Sequence, residues 1–229
     1  MIPDPSPFGT PRVAWNNPRF GPEQPLGPPP EEAPLSVPLS PRERGVAVFG
    51  ASDADPGSEA YELARAVGAG LARRGVAVVT GGYGGVMEAA SRGAREAGGE
   101  AVGVTCRAFS WRRPSPWVSL EIEEDDLFTR TARMFAISRG FVVVGGGAGT
   151  LAELAMLWAH ARLETLPGPI VLLDAVWERL SDDLARAGRL ERRCLAATRR
   201  ASGADEAVEL ALAPRSTAVR WREFERDET

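Results

Sequence analysis

Lysine is absent from this chain of 229 residues, so all 27 of its strongly basic side chains are arginine. The gap excludes two large classes. A Schiff-base enzyme, pyridoxal phosphate enzymes included, needs a lysine amine as its covalent anchor. A Walker phosphate loop needs a lysine too. Histidine is nearly as scarce, with His160 in Leu157-Trp158-Ala159-His160-Ala161 the only one. One imidazole cannot build a zinc site with the partners available, and no nucleophile pattern surrounds it, so a helix surface or pocket wall is its expected place. The two cysteines, Cys106 and Cys194, make neither a metal-ligand spacing nor a disulfide framework and read as ordinary thiols. No metal and no cofactor is expected. Apolar runs of membrane-spanning length are missing, and Met1-Ile2-Pro3-Asp4-Pro5 lacks the regions of a signal peptide, which points to a cytoplasmic protein with no membrane partner. A net charge of −4 supplies no basic surplus, so no nucleic-acid partner is expected.

What is present divides unevenly. Thirteen of the 19 prolines lie within residues 1–44. Proline removes backbone donors and fixes φ, so this stretch is expected to be an extended or disordered arm, with Phe8, Trp15 and Phe20 as possible anchors. From Gly45 onward short apolar runs alternate with helical periodicity. Strands are expected at 46–49, 76–79, 101–104, 118–122, 141–144 and 170–173. Helices are expected at 58–74, 86–97, 125–139, 150–163, 175–187 and 204–213. That alternation predicts an α/β domain over 45–214, a Rossmann-like parallel sheet with helices on both faces. Residues 215–229 form a polar tail with Trp221 and Phe224 as possible anchors.

Three glycine-containing loops fall where strands end, the place where open α/β sheets bind ligands. They contain Gly50 and Ser52, then Gly82 and Gly84, then Gly146, Gly147, Gly149 and Thr150. Glycine lets the backbone approach an anion, and a following helix N-terminus offers free N–H groups and a positive dipole end. Any one such loop also serves as a bare turn; three in register favour a phosphate site. The dinucleotide fingerprint is not met, because Gly82-Tyr83-Gly84-Gly85-Val86-Met87 lacks its last glycine and no acid closes the next strand. Glu153 falls three residues after Thr150. Such a carboxylate can serve the helix dipole, or it can act on a ribosyl centre beside a bound phosphate. Arg130, just before the strand that feeds the third loop, is either a surface arginine or an anchor for the same ligand, since arginine cannot act as a base.

These residues resemble the LOG ("Lonely Guy") family, long misnamed as lysine decarboxylases. Its signature is an arginine, a strand, then P-G-G-x-G-T-x-x-E. Arg130-Thr131-Ala132-Arg133-Met134 matches the first part, and Gly145-Gly146-Gly147-Ala148-Gly149-Thr150-Leu151-Ala152-Glu153 the second. Gly81 to Ala89 is similar to the family's upstream glycine loop, and the likeness runs over about 45–175. The resemblance implies a Rossmann-like homodimer that hydrolyses the N-glycosidic bond of nucleoside 5′-monophosphates, cytokinin ribotides or AMP-like nucleotides, to free base and ribose 5-phosphate. It implies Arg130 and Glu153 as the catalytic pair and 146–150 as the phosphate cradle. Gly145 replaces the signature proline, as in the related molybdenum-cofactor carrier branch. Thr131 and Ala152 stand where many members have lysine and glutamate, and 106–117 does not match. Decarboxylation is contradicted by the missing lysine. The alternative reading is a non-catalytic binder or carrier of a phosphorylated ligand, a molybdenum cofactor or a signalling nucleotide.

Overall fold

The computed structural model describes residues 44–109 and 111–214. The proposed arm up to residue 43 and the proposed tail lie outside the described residues. Among the described residues seven strands form one sheet: β1 (Gly45–Gly50), β2 (Val78–Thr80), β3 (Ala101–Cys106), β4 (Leu120–Glu124), β5 (Ser138–Val144), β6 (Ile170–Leu172) and β7 (Thr198–Arg200). Their spatial order is β4-β3-β2-β1-β5-β6-β7, and every pairing is parallel. The helices are α1 (Glu59–Arg73), α2 (Val86–Glu96), α3 (Leu127–Ala136), α4 (Ala148–Arg162), α5 (Ala175–Arg186), α6 (Arg192–Ala197) and α7 (Ala204–Leu212). This is the expected Rossmann-like architecture.

Successive strand residues point to opposite faces, and both faces are buried here. In β1, Val46 and Val48 join Val142, Val144 and Val171 beneath α1, α2 and α7. Ala47 and Phe49 join Phe141, Val143 and Ile170 beneath α3, α4, α5 and α6. That double demand is why the strands read as unbroken apolar runs.

Strand order reverses between β1 and β5. The chain builds outward from β1 in one direction, then returns to pair β5 on its other side, Phe49 opposite Val143 and Gly50 opposite Val144. The loops leaving β1 and β5 therefore diverge to opposite faces and leave a crevice between them.

Several boundaries differ from the sequence-based expectation. The helix expected at 125–139 stops at Ala136, because Ser138 already pairs with Gly45 in the sheet. The helix expected from Thr150 begins at Ala148. Neither α6 nor β7 was expected. Thr198-Arg199-Arg200 carries no apolar residue and sits at the sheet edge beside β6.

Candidate active site

The crevice opens into a cavity of about 580 Å³, whose walls include Gly50, Ser52, Arg130, Gly147, Gly149, Thr150 and Glu153. The ends of β1 and β5 and the helices α3 and α4 thus bring seven of the ten sequence-predicted site residues to one place. Gly82, Gly84 and Gly146 are not on the cavity wall.

The third glycine loop is built as an open helix start. Gly147 is the N-cap of α4 and supplies no side-chain cap, so the first amides of the helix are not taken by a capping side chain. Cβ atoms placed at Gly147 or Gly149 would meet no atom within 4 Å, so both backbones face open space. Gly146 works differently. A Cβ there would lie 2.2 Å from Thr150 Oγ1, so Gly146 makes room for the threonine rather than for a ligand. The loop is held from behind by Trp177, whose indole Nε1 donates to the Gly145 carbonyl at 2.8 Å. Gly145 has φ +58°, a region closed to proline, whose ring holds φ near −65°. The missing signature proline is therefore a difference in loop shape as well as in residue type.

Arg130 is delivered by α3, which starts on a reciprocal capping box. Asp126 accepts from the amides of Phe128 and Thr129, and Thr129 Oγ1 accepts from the Asp126 amide. One turn in, Arg130 turns inward and is 7% exposed. Its Nε donates to the Val104 carbonyl at 2.8 Å, and Nη2 lies 3.9 Å from Met87 Sδ. The guanidinium carbon lies 5.8 Å from the Tyr83 ring centroid. A Cβ at Gly81 would stand 1.6 Å from Nη2, so only glycine lets the guanidinium pass. Gly81, Tyr83 and Met87 were not among the predicted site residues. Nothing in the sequence near them reveals that an arginine from α3 crosses at that point.

Glu153 sits one turn into α4 with Oε1 3.9 Å from Arg130 Nη1, and its side chain is 17% exposed. Burial raises its carboxyl from 4.5 to about 7, while the Arg130 charge pulls the other way. The distance is too long for a strong hydrogen bond, so burial prevails. Near neutral pH the group exists in both protonation states, which suits acid–base work. The reading of Glu153 as a mere helix-dipole partner does not account for its inward position beside a buried guanidinium.

No group of three or more histidine, cysteine, aspartate or glutamate residues arranged to hold a metal occurs among the described residues. No helix among them is long and apolar enough to cross a membrane. His160 is on the far part of α4, its Nδ1 2.8 Å from Thr165 Oγ1 and its ring edge-on to Phe135. It is not on the cavity wall. Cys106 and Cys194 are both free and buried.

The model of the SLOG cluster4 family matches residues 43–198. A cytokinin riboside 5′-monophosphate phosphoribohydrolase of Mycobacterium tuberculosis is 38% identical over 119 residues, which span 51% of this chain and 64% of that protein. The solved structure of a molybdenum cofactor binding protein from Rippkaea orientalis is similar with a TM-score of 0.59 and 26% identity, over 75% of this chain and 96% of the other. The molybdenum cofactor carrier protein of Chlamydomonas reinhardtii is similar with a TM-score of 0.54 and 26% identity, over 73% and 95% of the two chains.

Proposed function

The chain belongs to the SLOG cluster4 family, and on that footing we propose that it is a phosphoribohydrolase of nucleoside 5′-monophosphates. The observation that carries this reading is the Arg130–Glu153 pair, 3.9 Å apart on the wall of the cavity into which the α4 N-terminus opens. The amides at Gly147 to Thr150 and the helix dipole hold the 5′-phosphate. Arg130 spends Nε on Val104 and keeps Nη1 toward the cavity side, where it anchors the sugar phosphate. Glu153 in its ionised form stabilises positive charge at the ribosyl C1′ and takes a proton from the attacking water. The water oxygen bonds to C1′ as the C–N bond breaks, its electron pair leaves with the base nitrogen, and the proton taken up by Glu153 passes to that nitrogen, which restores the carboxylate. The products are free base and ribose 5-phosphate.

A second copy of the chain fits this arrangement. Leu127 and Phe128 on α3 are 48% and 78% exposed, and Leu151 on α4 is 40% exposed. Apolar side chains gathered on two site-bearing helices support a homodimer whose interface adjoins the cavity.

Incubating the protein with AMP and N6-substituted AMP, and assaying free base by chromatography, tests the reading. Base release that vanishes in Glu153→Ala is the expected result. Release no greater than that control refutes it. Carriage of a phosphorylated ligand is the second reading, favoured by the left-handed Gly145 and by the similarity to two molybdenum-cofactor proteins. It predicts a melting temperature several degrees higher with a phosphorylated pterin, and no turnover.

A further inference from the structure

The segment after β3 forms one wall of the cavity. Phe109, Trp111 and Arg112 all line it, beside Tyr83. The rings make a chain of edge-to-face contacts: Tyr83 to Phe109 with centroids 5.9 Å apart, then Phe109 to Trp111 at 5.6 Å. The Arg112 guanidinium carbon lies 5.8 Å from the Tyr83 centroid and 5.9 Å from that of Phe109.

This wall is fixed at both ends. The Tyr83 hydroxyl accepts from the Cys106 amide at 2.9 Å and donates to the Cys106 carbonyl at 3.2 Å. Farther along, the Ser115 amide donates to the Gly82 carbonyl at 2.8 Å. Tyr83 also carries the Arg130 guanidinium, so the wall and the catalytic arginine share one support.

Two features remain open to a ligand. Trp111 is 73% exposed, which leaves its ring open to a planar partner. Arg112 faces the cavity, and no described carboxylate forms an ion pair with it, unlike Arg107 nearby, which pairs with Glu123 and Asp125. An arginine offers donors only. It complements a base edge that carries acceptors, such as the O6 and N7 of a 6-oxopurine, and is mismatched to the amino group of a 6-aminopurine.

We propose that Trp111, Phe109 and Arg112 form the base subsite, with the base stacked on Trp111 and its acceptor edge read by Arg112, so that the preferred nucleotide is a 6-oxopurine monophosphate. The proposal rests on the hydrolase reading for the placement of phosphate and ribose. Its readout is binding, so it fails or stands separately from turnover. Calorimetric titration of IMP, AMP and ribose 5-phosphate into Glu153→Gln, which holds turnover off, supplies the comparison. IMP binds at least tenfold more tightly than AMP. Adding Trp111→Ala weakens IMP on the order of tenfold and leaves ribose 5-phosphate unchanged, while Trp111→Phe restores most of the loss. Adding Arg112→Ala removes most of the preference for IMP over AMP. Equal binding of IMP and AMP overturns the proposal. So does a Trp111→Ala loss shared equally by IMP and ribose 5-phosphate, or an Arg112→Ala loss shared equally by IMP and AMP.

Discussion

The loops at 81–85 and 145–149 look alike as strings of glycine between a strand and a helix, yet the fold uses them in opposite ways. In the first, several backbone groups in and beside the loop are already spent on the fold. The Val86 amide donates to the Ala51 carbonyl, and the Gly82 carbonyl accepts from Ser115. A Cβ on Gly85 would lie 2.3 Å from the Ala51 carbonyl oxygen, and its φ is +68°. In the second, a Cβ on Gly147 or Gly149 would meet no atom within 4 Å. Glycine at a strand end thus has two meanings: close packing of backbone on backbone, or backbone left bare for a ligand. Only the surroundings separate them.

Substitutions that add one methyl group break the comparison most directly. Gly85→Ala is expected to cost about 3 kcal/mol or more in urea unfolding, from the clash and the left-handed φ together. Gly81→Ala unseats Arg130 and is expected to cost at least a hundredfold in kcat/KM, read by base release, because the guanidinium loses its place beside Glu153. Smaller, and of a different kind, is the effect of Glu153→Gln. With the folded carboxyl raised to about 7 and the unfolded one at 4.5, the unfolded chain ionises first as pH rises. The wild-type protein therefore loses stability between those values and carries the full deficit above pH 7. The amide variant removes it and is expected to be more stable above pH 7 by up to about 3 kcal/mol, with the pH slope gone in melts. The same ionisation makes wild-type kcat/KM rise through about pH 7. The smallest effect has the opposite sign to that of Gly85. Gly149→Ala adds a helix-favouring methyl in open space and is expected to stabilise by about 0.5–1 kcal/mol in melts, while weakening ribose 5-phosphate several-fold in titration.

Much of the sheet was legible in the sequence because burial on both faces writes continuous apolar runs. Val46 to Phe49 and Phe141 to Val144 are examples. The edge strand Thr198-Arg199-Arg200 left no such trace, since one neighbour and little burial require no apolar pattern. Ile137 continued the helical spacing of α3 past its true end, because periodicity cannot register that Ser138 is claimed by β1. At the site, the resemblance singled out Arg130 and Glu153, and the cavity brings them together. Gly82 and Gly146 carried the right residue type for a reason internal to packing. Gly81 was hidden because its requirement arises from a side chain 49 positions away. The aromatic wall was visible as residues but not as a wall, since edge-to-face contacts between Tyr83, Phe109 and Trp111 follow no sequence spacing.

The reversal of strand order at β1 has a consequence for how the molecule comes together. The residues after β1 that line the crevice, Gly50 to Asp53, and those after β5, Gly147 to Glu153, lie nearly a hundred positions apart. They meet only when β5 docks on β1, a closure of long chain separation and therefore a slow one. Emerging chain through β4 carries one lip of the crevice and no ligand to hold. A ligand of this crevice can act only on the finished sheet, where bridging the two halves slows their parting rather than hastening their meeting.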